Sequence, residues 1–360
     1  MARNYLVLED GTVLDGEAFG YDKADFGEVV FSTGMDGYQE DLTDPSFRGT
    51  ILMLTYPLVG NYGIIDSANE SDAAHVRALV VREYCKEPSD MYGGKTLDAF
   101  MKEQKVPGIS GIDTRELVIK TRSTGTMKGA IVYNEDEIDE TVKKLKSMAS
   151  PLDANLVSEV SCKKEYLVDS KKEFTVGLLD CGVKNSILSE LSSRFNVRVF
   201  PYDTPAQAII DSGVQGVMVS NGPGNPSHKD LMSTIVKNVE DLSSRMPVSG
   251  ICFGSQIVAL ALGAKTYKMK FGHRGGNQPV RFEGKVYVTS QNHGFAVDAD
   301  SLDGTGLEAN MININDNTVE GVCHKDLPVF TTQFHPEACP GPEDTRFLFD
   351  RFGKMMEAKR

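Results

Sequence analysis

No apolar run in the 360 residues reaches the roughly 18 that a membrane-spanning helix needs. The start, Met1 to Asp10, turns acidic at Glu9-Asp10 before the apolar core of a signal peptide forms. These two absences predict a cytoplasmic chain with no membrane contact. No C-x-x-C pair occurs: the cysteines stand far apart at 85, 162, 181, 252, 323 and 339, so free thiols are expected. Neither cysteines nor histidines have ligand spacing, and no metal site is expected. A phosphate-cradling loop is missing too, because Gly272 to Gly276 is not followed by Gly-Lys-Ser/Thr. Basic charge is scarce. The net charge is −13, and residues 1–170 hold 18 basic against 30 acidic residues. Such a front half lacks the footprint of a nucleic-acid binder and reads as a solvated acidic face. Repeats and low-complexity segments are also absent.

The chain does have the composition of a globular protein, 40% hydrophobic and 25% charged, at a length that suggests two domains. From Phe174 onward, short strands alternate with helices. Phe174–Asp180, Val197–Phe200, Gly216–Ser220 and Val248–Ile251 read as buried strands. Helices are expected through Ile187 to Leu191, Pro205–Ile210, Asp230–Leu242 and Ser255–Leu262. That alternation predicts a parallel, doubly wound α/β sheet. Past residue 265 the pattern becomes β-rich, with Val286–Thr289 and Val329–Gln333 clearest. Residues 1–150 read as a separate, β-rich α+β domain. Its strands are expected at Val29–Phe31, Ile51–Leu54 and Ala130–Val132, its helices near Ala73–Val80, Thr96–Glu103 and Ile138–Ser147. The polar stretch 151–172 reads as a linker, which leaves 173–360 for the second domain.

Gly250-Ile251-Cys252-Phe253-Gly254 places a nucleophile between glycines where a strand ends and a helix begins. This is a nucleophile elbow with cysteine in place of serine. Flanking glycines let strand and helix approach closely, and the positive end of the helix favours a thiolate. The Phe253 N–H would face a developing oxyanion. A cysteine nucleophile needs a base, and the base needs an orienting partner. Of six histidines, only His335 has one in place, in Phe334-His335-Pro336-Glu337 after an apolar strand. At i and i+2 on extended backbone, His335 and Glu337 share a face.

Asn221-Gly222-Pro223-Gly224, the Cys252 elbow with Gln256, and His335-Pro336-Glu337 occur in the order and spacing of class I glutamine amidotransferases, which the chain resembles. Further segments narrow the resemblance to the small-subunit family of glutamine-dependent carbamoyl-phosphate synthases. They are Thr33 to Glu40, Leu42 to Ser46, Leu54 to Asn61, Ile112 to Arg115, Phe271 to Asn277 and Gln291 to Val297. The resemblance implies a flavodoxin-like C-terminal amidotransferase domain behind a β-rich α+β domain peculiar to this subunit. It implies that Cys252, His335 and Glu337 form a catalytic triad, with Gly222 and Phe253 as oxyanion donors. Gly34, Gly222, Gly224, Phe253, Gln256, Asn292, Gly294 and Phe295 match glutamine-binding positions. The implied partner is a large synthetase subunit carrying ATP and Mg2+, with no cofactor in this chain. Its product, carbamoyl phosphate, would feed pyrimidine and arginine biosynthesis.

Three positions depart from the family pattern. Ser255 stands where many relatives carry histidine, Phe253 replaces a common leucine, and Phe334 a common glycine. Serine would keep a hydroxyl near the thiolate, and Phe334 would crowd an open spot beside His335. His293, in a family-like run, reads as structural. Two other readings stay open on sequence. One is the glutaminase of another pathway, such as anthranilate or guanylate synthesis, which the N-terminal 150 residues oppose. The other is a non-catalytic interaction subunit, which the intact triad opposes.

Overall fold

The computed structural model describes residues 3–359 and divides into two compact units, Met1–Ala154 and Asn155–Arg360. In the first, β1 (Arg3–Leu8), β2 (Val13–Gly20), β3 (Asp25–Ser32), β4 (Thr50–Leu54), β5 (Ala78–Val80), β6 (Pro107–Ser110) and β7 (Met127–Val132) form a closed barrel. Its order is β1-β2-β6-β5-β4-β3-β7, closed by antiparallel pairing of β1 with β7. Val30, Leu52 and Leu79 share one buried core cluster with Phe19 and Phe47. The helix α1 (Leu97–Glu103) buries Leu97, Phe100 and Met101, and the Thr96 hydroxyl caps it by accepting from the Ala99 N–H.

The helix expected at Ala73–Val80 is absent. Ala78–Val80 is instead the strand β5, parallel to both β4 and β6 and buried along its whole length. A short aliphatic run buried on both faces looks the same in a helix or a parallel strand, and here two neighbouring strands supply the partners.

In the second unit the elements are β8 (Tyr166–Val168), β9 (Thr175–Asp180), β10 (Asn196–Pro201), β11 (Gly216–Val219) and β12 (Val248–Ile251). They continue through β13 (Thr266–Phe282), β14 (Lys285–Val297), β15 (Leu307–Asn313), β16 (Val319–His324) and β17 (Val329–Thr332). One ten-stranded sheet results, ordered β8-β10-β9-β11-β12-β17-β16-β14-β13-β15. The run β10-β9-β11-β12-β17 is parallel and has the flavodoxin-like order. Beyond β17 every pairing is antiparallel, and the β13–β14 hairpin is the β-rich segment foreseen past residue 265. Helices cover the parallel part. The helix α2 (Ile235–Arg245) buries Ile235, Val236, Val239 and Leu242, while α3 (Phe253–Ala261) is buried almost all round. The single helix expected at Asp230–Leu242 is two, Lys229–Ser233 and Ile235–Arg245, separated at Thr234 with φ −120° and ψ −92°.

The stretch read as a linker, 151–172, is largely structured. It holds a 3-10 turn at Pro151–Asp153, a short helix at Val157–Val160 and the edge strand β8. Val157 is fully buried in the second core, and the Cys162 N–H donates to Asp180 Oδ2 at 2.7 Å. Polar composition hid these tertiary partners. Among the described residues no helix is long and apolar enough to cross a membrane.

Candidate active site

The carboxyl ends of β9, β11, β12 and β17 converge, as they do at ligand crevices of open α/β sheets. Cys252 follows β12 with φ 55° and ψ −106°, a left-handed backbone that a non-glycine residue rarely adopts. Its N–H donates to Thr332 O at 2.8 Å, tying the elbow to β17. Gly254 shows why this turn excludes side chains: a Cβ there would lie 2.1 Å from Val219 O. At Gly222 it would lie 2.5 Å from Cys181 O, so the loop after β11 sits directly on the loop after β9. Phe253 opens α3, where a first-turn N–H has no acceptor within the helix.

His335 arrives from the other side. A lone bridge pairs it with Ser290 of β14, and its N–H donates to Ser290 O at 2.9 Å. Its Nδ1 lies 2.6 Å from Glu337 Oε1, both residues being almost wholly buried. Burial works against charge on His335, but the Glu337 carboxylate and then Cys252 outweigh it and push the imidazole up to about 10. Burial likewise raises the Glu337 carboxyl, yet His335 and Lys184 hold it below its ordinary value. The pair is therefore an imidazolium–carboxylate ion pair beside a thiol, and that arrangement can hold a cysteine ready for attack.

Lys184, at the end of the loop after β9, was not foreseen. Its buried Nζ lies 3.3 Å from Glu337 Oε1 and donates to Ala338 O at 3.0 Å and Cys339 O at 2.8 Å. Both Ala338 and Cys339 have positive φ, 62° and 54°, so the lysine fastens a strained segment as well as the carboxylate. A lysine 153 residues before its glutamate carries no local signal.

Of the other positions named from sequence, Asn292 meets the thiol. Cys252 Sγ donates to Asn292 O at 3.4 Å, and Gln256 Nε2 donates to Phe295 O at 2.7 Å. Gly294 lies against Arg274, and Gly224 turns its loop with φ +85°. Gly34 belongs to the N-terminal unit, in the turn after β3, where its N–H meets Ser32 Oγ.

A model of the carbamoyl-phosphate synthase small chain, CPSase domain, matches residues 6–131, and one of class-I glutamine amidotransferases matches residues 177–355. The chain belongs to the carbamoyl phosphate synthase small chain family. It is 47% identical over 358 residues to the "Carbamoyl phosphate synthase small chain" of Archaeoglobus fulgidus, covering 99% of each chain. It is 49% identical to that of Methanopyrus kandleri, with 98% of this chain and 99% of the relative covered. For Fusobacterium nucleatum the identity is 48%, with 99% of both covered. As a member of this family the chain is a glutamine amidotransferase subunit.

Among its departures from the family pattern, Ser255 is corrected by the structure. Its hydroxyl does not serve the thiol. It lies 2.7 Å from Thr331 Oγ1, buried beneath α3. Phe334 packs with Val280, Phe282, Met311 and Phe330 in a core cluster. Phe253 turns its ring into the core with Ile257 and Val258. Ser255→His should overfill a closed site and cost about 1–3 kcal/mol of stability without raising glutamine turnover. Thermal unfolding and glutaminase rates of the variant check this. A gain in turnover at unchanged stability would refute it.

The expectation of no metal site meets one structural grouping. His273, His293 and Glu320 offer ligand atoms within 4.8 Å of one another. The four ring nitrogens face Gln291, Asp316 and the Phe295 carbonyl at hydrogen-bond distance, so the structure shows a hydrogen-bonded network there.

Proposed function

We propose that the chain hydrolyses the side-chain amide of glutamine at Cys252 and delivers the ammonia to a large synthetase chain. The thiolate attacks the amide carbon, a C–S bond forms, and the carbonyl electron pair moves onto oxygen. The N–H groups of Gly222 and Phe253 receive that oxyanion. His335 gives its proton to the nitrogen, the C–N bond breaks, and ammonia leaves. Water, losing a proton to His335, then attacks the γ-glutamyl thioester and releases glutamate. Glu337 holds the imidazolium throughout, and Lys184 holds Glu337. Gln256, Asn292, Gly294, Phe295 and Gly224 are the glutamine contacts in this reading. ATP and Mg2+ act on the large chain, and carbamoyl phosphate enters pyrimidine and arginine synthesis.

The observation that carries the reading is the strained elbow at Cys252 beside the His335–Glu337 ion pair. The relatives' designation as small chains supports a large partner. Among six cysteines, Cys252 alone has this setting, whereas burial raises the thiols of Cys162, Cys181 and Cys323. Acid-quenched turnover of glutamine by the chain with its large partner should leave a γ-glutamyl adduct on the Cys252 peptide. An adduct on another cysteine would refute the assignment.

A further inference from the structure

Behind the strand that carries Asn292 and Phe295, a column of polar side chains runs from the half-exposed Asp316 to the Phe295 carbonyl. His273 Nε2 lies 2.9 Å from Asp316 Oδ2, and its Nδ1 is 2.9 Å from Gln291 Oε1 and 3.5 Å from Glu320 Oε1. His293 Nε2 lies 2.9 Å from the same Gln291 Oε1, while its Nδ1 is 2.8 Å from Phe295 O. That carbonyl also accepts from Gln256 Nε2. The register explains the stacking: His273 and His293 are cross-strand partners on β13 and β14, and their rings meet edge-on at 5.0 Å.

Counting hydrogens fixes the roles. Thr289 Oγ1 donates to Gln278 O, so it can only accept from the Gln291 amide, which donates to it from Nε2 at 3.2 Å. Oε1 of Gln291 therefore faces the two rings. Burial tends to raise the Asp316 carboxyl, but the hydrogen bond with His273 and the Thr318 contacts bring it down to about 2. Burial works against charge on His273, yet its bonds to Asp316 and Glu320 push it up to about 9. Both of its nitrogens carry hydrogen at neutral pH. His293 is held neutral, first by burial and then by the charge of His273, and so has one hydrogen for two facing oxygens.

We infer that charged His273, by donating to Gln291 Oε1, frees the single hydrogen of His293 for the Phe295 carbonyl and so acts as a positioning residue for glutamine. When His273 loses its Nδ1 proton to solvent, Gln291 Oε1 draws the His293 hydrogen onto Nε2. The Nδ1 lone pair then faces Phe295 O, and the carbonyl shared with Gln256 is displaced. The charged and titratable groups facing His273 are Asp316 from the turn after β15, Glu320 from β16 and His293 from β14. On its own strand, Arg274 bears on His293, and Tyr267 lies in the field of Asp316 and Glu320. This inference rests on reading the site as a glutamine pocket.

The test is the pH profile of KM and kcat for glutamine in the complex with the large chain, for wild type, Asp316→Asn and His273→Asn. Once His273 is deprotonated, the wild-type KM should rise about tenfold per pH unit, because only the charged form keeps the pocket in place. In Asp316→Asn, Oδ1 keeps its contacts to Thr318, so the amide N–H faces His273 Nε2 and leaves the hydrogen of neutral His273 on Nδ1, toward Gln291 Oε1. KM should then stay low and the alkaline limb should be lost. His273→Asn should show a raised KM already at neutral pH and lack this limb. The substrate's own ammonium group titrates alike with every variant, so the difference between variants is the readout. Superimposable KM profiles for wild type and Asp316→Asn would overturn the inference, and Asp316→Asn answers even if His273→Asn fails to fold. A wild-type complex inert toward glutamine would refute the functional reading instead.

Discussion

Cys252→Ser is expected to lower glutamine-dependent carbamoyl-phosphate formation by about four orders of magnitude or more. The substitution keeps the elbow, because serine has the shape of cysteine and the strained backbone is held by the Thr332 bond and by the close fit of Gly254. What it removes is the nucleophile: a hydroxyl is hardly ionised near neutral pH, and the His335–Glu337 pair then faces a group that does not attack. Synthesis from added ammonium should persist, because nothing at Cys252 belongs to the ATP-using partner. Measuring both reactions in the reconstituted complex separates chemistry from assembly. Retention of glutamine-dependent synthesis, or equal loss of both reactions, would show that Cys252 is not the nucleophile.

Lys184→Met is expected to strike stability and turnover together. Removing the lysine leaves the Glu337 carboxylate buried with one cation in place of two, and it strips the donors from Ala338 O and Cys339 O. Loss of one partner from a buried pair costs about 3–5 kcal/mol. For a unit of this size that corresponds to a fall in Tm on the order of 10 °C. Glutamine turnover should fall as well, by about a hundredfold, because Glu337 and the strained segment both lose their anchor and His335 loses its orientation. Thermal unfolding with glutaminase kinetics on the same preparation is the check. A variant with wild-type Tm would mean that the lysine is not part of the support.

Much of this was legible before folding was considered, and the reason is local. The elbow, with glycines at 250 and 254 around Cys252, and the His335-Pro336-Glu337 segment announce themselves because their geometry is set within a few residues. The alternation of short aliphatic strands and helices after Phe174 carried the parallel sheet for the same reason. Legibility failed where a short segment depends on its neighbours. The pattern near Ala73–Val80 predicts a helix, yet Ala78–Val80 is a buried parallel strand. The polar stretch 151–172 predicts a linker, yet Cys162 is bound to Asp180 and Tyr166–Val168 to β10.

By itself, then, the sequence determined the α/β class, the position of the elbow and the residues that pair across it, since each is encoded by contiguous spacing. Only the tertiary structure decided which distant groups complete the site. Lys184 reaches Glu337 because β9 and β17 end on the same side of one sheet, and Ser255 turns to Thr331 because α3 lies on β17. His273, Gln291 and His293 meet because the register of β13 on β14, shifted between Lys268 and His273 and again between Gly275 and Gln278, sets their faces together. Spacing along a chain cannot supply such contacts; strand order and register do.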